Sequence, residues 1–395
     1  RMLIATDLGG LLTFRGKRDE ALAVLTRADA AIARHYPHEH LRYDNQTKLA
    51  AFHLGFDDSK ALSTMRQARA ELLANGTTSP DRQSRLALEL GNALVANGQL
   101  PEAETELTAA VSTIRSLYGR ASRNAIGAFG AWMNAVSRID PARAALMIEQ
   151  ERQTLASGAT RLSAAGDLQL RARQIANGWL AGDTAAVALV TLPDEDRLMA
   201  PGVLRDNEFL LIHHAQALLQ SGRAAEGLRL MQKMQSQWPD RNAPTVAWLR
   251  IQEALASAQL AAGQEAAAGK TAGELMQMLE QQQAAGGRAY RVAASLGALA
   301  AARSGDRALA AHLLDRMTKA SPSFPSPVER AECELRRAET LVSLGRLQEG
   351  AAVAQEALRD LSAQHPASPR LALAQRLLAR GAPGPTPLGQ SSGAR

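Results

Sequence analysis

Glycines punctuate this chain at intervals of about forty residues. Gly16, Gly55, Gly98, Gly182, Gly222, Gly263, Gly305 and Gly345 keep the interval, with Gly55 one place off register and only the slot near Ser137 empty. Each follows one apolar, alanine-rich stretch and precedes another. A period of this length restricts the chain to stacked supersecondary units, because one such unit cannot bury its apolar face alone and must lean on the next. The 395 residues then form one elongated body instead of two or three separate cores.

Residue types make the unit helical. Apolar residues are 46% of the chain but aromatics only 4%, so the core is built from Leu, Ala, Val and Met. Ala and Leu are strong helix formers, and the β-branched runs that strands favour are scarce. The expected fold class is all-α.

The third unit is the clearest. Its first helix runs through Arg85-Leu86-Ala87-Leu88-Glu89-Leu90-Gly91-Asn92-Ala93-Leu94, a turn follows at Asn97-Gly98, and Glu102-Ala103, Leu107 and Ala110 mark the second helix. The first unit repeats the scheme with Leu8-Gly9, Leu12, Gly16, Glu20-Ala21, Leu25 and Ala28. Helical spacing turns Leu8, Gly9 and Leu12 toward the neighbouring helix, and the small residue after Leu lets that helix come close. The later glycine ends the first helix, since glycine enters the left-handed C-cap conformation without a side-chain clash. Ala21 and Ala103 are small because the paired helices cross there.

These positions resemble the tetratricopeptide repeat over most of residues 3–365. Weaker units keep register, as at Ala215, Leu218, Gly222, Glu226-Gly227 and Met231, or Ala338, Leu341, Gly345, Glu349-Gly350 and Ala357. The resemblance implies a right-handed α-α superhelix of about nine hairpins whose first helices line a concave groove. The period exceeds the family's usual repeat of about 34 residues. It is similar to the long-helix branch found in kinesin light chains and bacterial signalling regulators.

Units two, four and five are degenerate. Residues 121–145 use Asp140-Pro141 in place of the turn glycine, and Pro suits the first turn of a helix. Residues 191–206 form the longest irregular link and are expected to divide the array into blocks at 1–190 and 207–365. Within 366–380, Arg370 to Arg380 reads as a capping helix with Leu371, Leu373, Ala374, Leu377 and Leu378 on its apolar face. Residues 381–395, rich in Gly, Pro and Ser, are expected to be disordered.

Motifs for chemistry do not survive inspection. Asp7-Leu8-Gly9 mimics a kinase metal-binding triplet, but no His-Arg-Asp loop follows and the repeat already accounts for Leu8-Gly9. Gly263 to Lys270-Thr271 mimics a phosphate loop, but five residues separate Gly263 from Gly269 where the motif has four. His35, His38 and His40 with Glu39 form the one dense ligand-type cluster. Pro37 and the loop context make a polar link its favoured reading over a metal site. His213 and His214 are neighbours on a helix and face different directions. Neither a Gly-x-Ser-x-Gly elbow nor a His-Glu-x-x-His helix occurs. No catalytic residue, cofactor or metal is expected.

The formal charge of +6 and a pI of about 9.8 invite a nucleic-acid reading. Lysine, however, occurs only at 17, 48, 60, 233, 270 and 319, no basic run forms, and acidic residues are interspersed throughout. Solvated helix faces of mixed charge fit better. Cys333 stands alone, so it forms no intramolecular disulfide and reads as a small buried apolar group. This usage suits a reducing compartment and a cytoplasmic location. No run of 18 apolar residues is present, and the N-terminus lacks the apolar segment of a secretory signal. Residue 1 is not Met, and Leu8-Gly9 arrives too early for a complete first helix. The expectation is the C-terminal part of a longer protein.

The positive expectation is a binding groove. By register its lining includes Arg85, Asn92, Asn124, Asn134, His213, Gln216, Arg250, Ser257 and Arg303, residue types that can hold a peptide backbone or carboxylate. Asn92 lacks the lysine partners of the chaperone-binding members of the family, which disfavours an acidic chaperone tail. The functional expectation is a protein or peptide interaction scaffold within a bacterial regulator carrying a serine/threonine kinase or winged-helix domain. An envelope or secretion assembly module and a small-ligand-sensing solenoid are the alternatives.

Overall fold

A computed structural model describes residues 2–36, 41–74, 79–157, 162–183, 192, 195–200, 203–239, 243–320, 324–362 and 368–381. Every regular element among them is a helix. In order these are α1 (Met2–Phe14), α2 (Arg18–His35), α3 (Leu41–His53), α4 (Asp58–Ala74), α5 (Pro80–Ala96), α6 (Leu100–Tyr118), α7 (Arg123–Ile139), α8 (Pro141–Ser157) and α9 (Ala164–Ala181). There follow α10 (Glu195–Leu198), α11 (Leu204–Gln220), α12 (Ala224–Gln237), α13 (Val246–Ala261), α14 (Glu265–Gln281), α15 (Arg288–Arg303), α16 (Arg307–Lys319), α17 (Pro327–Ser343), α18 (Leu347–Ser362) and α19 (Pro369–Gly381).

Consecutive helices pair as hairpins, and from α5 onward each first helix also packs on the first helix of the next unit, as α1 does on α3. The first helices are α1, α3, α5, α7, α9, α11, α13, α15 and α17. Residues 184–191, which follow α9 in the chain, lie outside the described set, as do His38, His40 and residues 382–395.

The turn glycines do what the period demands. All eight adopt φ between 70° and 84°, the left-handed region that stops a first helix and turns the chain into the second. Unit four manages without one. Its α7 ends at Ile139, Asp140 takes an extended conformation, and its carboxylate accepts the Arg143 N–H at 3.0 Å while Pro141 opens α8.

Burial separates two kinds of helix. Second helices carry one apolar stripe, as in α6 with Leu100, Ala103, Leu107, Ala110, Val111 and Ile114. Among the first helices burial extends further round, most of all in α15, which is buried at nearly every position from Ala289 to Ala301, whereas the terminal α1 buries only Thr6, Gly9 and Leu12. The first helices thus form the inner layer and the second helices the outer one.

The link at 191–206 also carries core residues. Leu198 and Met199 sit in one apolar cluster with Ile175 of α9 and Leu211 of α11, and α9 packs directly on α11. After the last hairpin, α19 covers α18 with Ala374 and Leu377 buried and Leu371, Leu373 and Leu378 partly so.

Distant units touch in a regular way. Gly16 lies against Ala243, Gly55 against Val246, Gly98 against the Phe324 carbonyl and Gly287 against the Phe56 carbonyl. Arg138 pairs with Glu329 at 3.2 Å, and Arg370 donates to the Trp179 carbonyl at 3.3 Å while lying over the Trp179 ring. The end of a first helix in one unit therefore meets the chain around the start of a first helix five or six units later. The superhelix completes one turn in that interval, and its second turn rests on its first. The open trough expected from the sequence is consequently narrowed to an interior cleft.

Candidate functional site

The cleft has a volume of about 490 Å³ and runs along the inner layer from the end of α3 to α17. Residues in corresponding positions of successive first helices point into it, because the repeat carries the same register from unit to unit. Six of the nine sequence-predicted residues line it: Asn92, Asn134, His213, Gln216, Arg250 and Ser257. The other three do not. Arg85 is exposed and pairs with Asp81 at 3.1 Å. Asn124 is exposed in the first turn of α7. Arg303 is turned toward neighbouring first helices, pairing with Glu339 and donating to the Leu260 carbonyl at 3.3 Å.

Charged residues absent from the expected set make up much of the wall. Arg138 faces Glu329 across the two turns, and Arg288 on α15 faces Glu253 on α13 at 3.2 Å. Arg250 lies 3.7 Å from Glu208, and Arg336 lies 3.5 Å from Glu332. Burial raises the pKa of Glu208 despite the Arg250 charge. Burial acts on Glu329 in the same direction, but Arg138 and Arg288 outweigh it and hold the carboxyl below its ordinary value. For Arg288, burial is outweighed by Glu253, Glu329 and Asp58, which hold the guanidinium above its ordinary value.

Glu329 is placed by its own helix start. Ser326 caps α17 by accepting the Glu329 N–H at 3.2 Å, and its hydroxyl donates to the Glu329 carboxylate at 2.8 Å. The cap thus presents to the first turn of the superhelix the carboxylate that Arg138 grips.

Arg173 differs from the other cleft arginines. Its guanidinium lies 4.2 Å from the Phe209 ring centroid and has no hydrogen-bond acceptor or carboxylate partner among the described residues. Burial, followed by the like charges of Arg138 and Arg250, lowers its pKa to about 10. Gly130 leaves room for it, since a β-carbon there would stand 2.8 Å from the Arg173 Nε.

On the far side of this pair, the His213 ring packs 4.3 Å from Phe209 and 5.7 Å from Trp179. Burial, with Arg138 and Arg173 nearby, lowers the His213 pKa to about 3 and keeps the imidazole neutral. His213 Nδ1 and Gln216 Oε1 are buried and lie within reach of each other, but neither makes a hydrogen bond of ordinary geometry. Sequence reasoning missed Arg173, although its register was legible: it lies about forty residues from both Asn134 and His213.

The rejected motifs fall where the repeat puts them. Asp7-Leu8-Gly9 lies inside α1, and Gly269 lies inside α14 after the turn at Gly263. Among the described residues no group of His, Cys, Asp and Glu could hold a metal ion. Among the same residues no helix is long and apolar enough to cross a membrane.

Comparison with known structures gives a likeness of fold. The chain is similar to the tetratricopeptide repeat domain of P58(IPK), with 15% identity, 96% of this chain and 98% of that chain covered, and a TM-score of 0.26. It is similar to the Cut9–Hcn1 hetero-tetramer of the APC/C, with 11% identity, coverage of 97% and 90%, and a TM-score of 0.32. For yeast Tom70 the identity is 11%, the coverage 96% of both chains and the TM-score 0.29. No protein-family model matches the chain, and no curated protein matches it.

Proposed function

We propose that this chain is a non-catalytic interaction module that holds an extended peptide segment of a protein partner inside its superhelix. The observation that carries this reading is the convergence of Asn92, Asn134, His213, Gln216, Arg250 and Ser257 from successive inner helices on one cleft. Amide side chains spaced along a trough can pair with the backbone of an extended strand, while pockets between helices receive its side chains. The finer setting is the one expected from the sequence, a bacterial regulator in which the array recruits a partner for a kinase or a winged-helix domain.

A selection of random displayed peptides on the purified protein tests the reading. Peptides bound in the cleft lose at least about tenfold in affinity on Asn92→Ala or Gln216→Ala, each removing a backbone hydrogen bond. They are unaffected by Arg85→Ala, whose side chain faces solvent. Selected peptides that bind all these variants equally contradict the assignment of the cleft.

The enclosure of the cleft favours a second reading, a small-ligand sensor. A volume of about 490 Å³ lined by a few converging polar groups lies within the range of small-molecule sites. Saturable binding of a small molecule that excludes every selected peptide would decide for it.

A further inference from the structure

We propose that Arg173 seats a single carboxylate of the ligand, with an adjacent amide N–H of the same ligand donating to Gln216. This deepens the reading of the cleft as a ligand site and rests on it. The argument begins with the charges. Arg138, Arg250, Arg288 and Arg336 in the cleft each have a glutamate within ion-pair reach, and the Asp58 carboxylate accepts the Gly55 N–H at 2.7 Å. Arg173 is the one cleft arginine with no anion facing it among the described residues.

A partly buried guanidinium calls for a planar, two-oxygen acceptor, and a carboxylate matches its fork. Space is available on both sides. Arg173 and Phe209 stand between the cleft and a second cavity of about 840 Å³ next to α7, α9 and α11.

The neighbouring orphans complete the description. Gln216 Oε1 and His213 Nδ1 lie within reach of each other but neither makes a hydrogen bond of ordinary geometry. A buried polar group left unmatched is costly, so these atoms mark positions that a ligand satisfies. Phe209, edge-on, and Trp179, tilted, pack against the His213 ring and supply an apolar wall. One carboxylate, one N–H close to it and an apolar side chain describe an N-acylated amino acid. That chemistry occurs at the C-terminus of a peptide and in a free acyl amino acid. One cleft arginine without an anion among the described residues fits one terminus rather than a run of acidic side chains.

The test is calorimetric titration of the purified chain with N-acetylphenylalanine, with N-acetylphenylalaninamide, and with a hexapeptide ending in phenylalanine as either the free acid or the amide. At least one acid is expected to bind saturably, with its amide weaker by about tenfold or more. Binding of both acids assigns the site to the shared chemistry, and binding of the hexapeptide acid alone assigns it to a chain terminus. Arg173→Gln is expected to remove the preference for acid over amide. Arg173→Lys keeps part of it, and Arg85→Gln leaves it intact.

Circular dichroism melting of each variant separates loss of the site from loss of the fold. Equal binding of acid and amide overturns the proposal, as does an Arg173→Gln protein that melts and binds like the wild type. Failure of every acid to bind also overturns it. Displayed peptides that need Asn92 and Gln216 but not Arg173 would leave the cleft as the binding site and remove only the carboxylate seat.

Discussion

At the scale of single residues, two turn glycines with the same backbone separate two costs. Gly98 and Gly222 have φ of 71° and 81°. A β-carbon on Gly222 meets open space, while one on Gly98 stands 2.5 Å from the Phe324 carbonyl oxygen of the next superhelical turn. Gly222→Ala is expected to cost about 1 kcal/mol from the left-handed conformation alone. Gly98→Ala adds the clash and should cost about 2–4 kcal/mol in denaturant unfolding. Equal losses would mean that Gly98 answers only to its own turn.

The histidines give a second expectation at this scale. Burial lowers the pKa of His53 to about 4, of His213 to about 3, and that of His214 below its ordinary value. A lowered folded-state pKa means that the unfolded chain takes up protons first. Their contribution is complete above the ordinary histidine value of 6.5 and is lost as pH falls toward the folded values. Stability should drop by on the order of 1 kcal/mol for each of His53 and His213 between about pH 6.5 and about pH 5.5. Burial raises Glu89 and Glu208, which act in the opposite sense nearer the ordinary carboxylate range. A His53→Gln/His213→Gln protein should show a flatter unfolding profile across this window, and an unchanged slope would contradict the burial argument.

At the scale of the element, the repeat is a rule for how closely two helices approach. A β-carbon on Gly91 would lie 2.5 Å from Leu107 Cγ, and one on Gly9 would lie 2.5 Å from Leu25. Leu107 is fully buried and has nowhere to go. Gly91→Ala is therefore expected to destabilise by about 1–3 kcal/mol. Gly273 lies in the exposed face of α14 with nothing near its missing β-carbon, so Gly273→Ala should stabilise by about 0.5–1 kcal/mol. Opposite signs for two helical glycines, read by the same urea titration, are the outcome that the repeat predicts.

This level was the most legible in the sequence. Leu-Gly and the turn glycine recur with the period, and their constraints are local: a close approach and a positive φ. Gln283, at φ 56° after α14, was not foreseen, because nothing in its residue type announces that conformation. Asp140-Pro141 was foreseen as a turn, since proline at a helix start carries its own signal.

At the scale of the whole molecule, the sequence reveals the units but not how tightly they coil. Contacts between turns join Gly98 to Phe324 and Arg138 to Glu329, and Phe324, Arg138 and Glu329 carry no periodic mark. Small rotations at each hairpin add up over five or six units, and no single residue encodes the sum. Six cleft residues could be read from register because they share one face of successive inner helices. The opposing glutamates could not, since their role appears only once the second turn lies on the first. Arg85, Asn124 and Arg303 illustrate the limit: register placed them on inner helices, but position along each helix decides whether a side chain reaches the axis.

The central claim is that the second superhelical turn closes on the first and walls the cleft. A double-mutant cycle on Arg138→Gln and Glu329→Gln, measured by denaturant unfolding, tests it most directly. These residues lie far apart in the chain and meet only through closure, at 3.2 Å with both side chains largely buried. Closure predicts a coupling energy of about 1–3 kcal/mol. Losses that add to within about 0.5 kcal/mol would show two turns that do not touch, and would leave the interior an open trough.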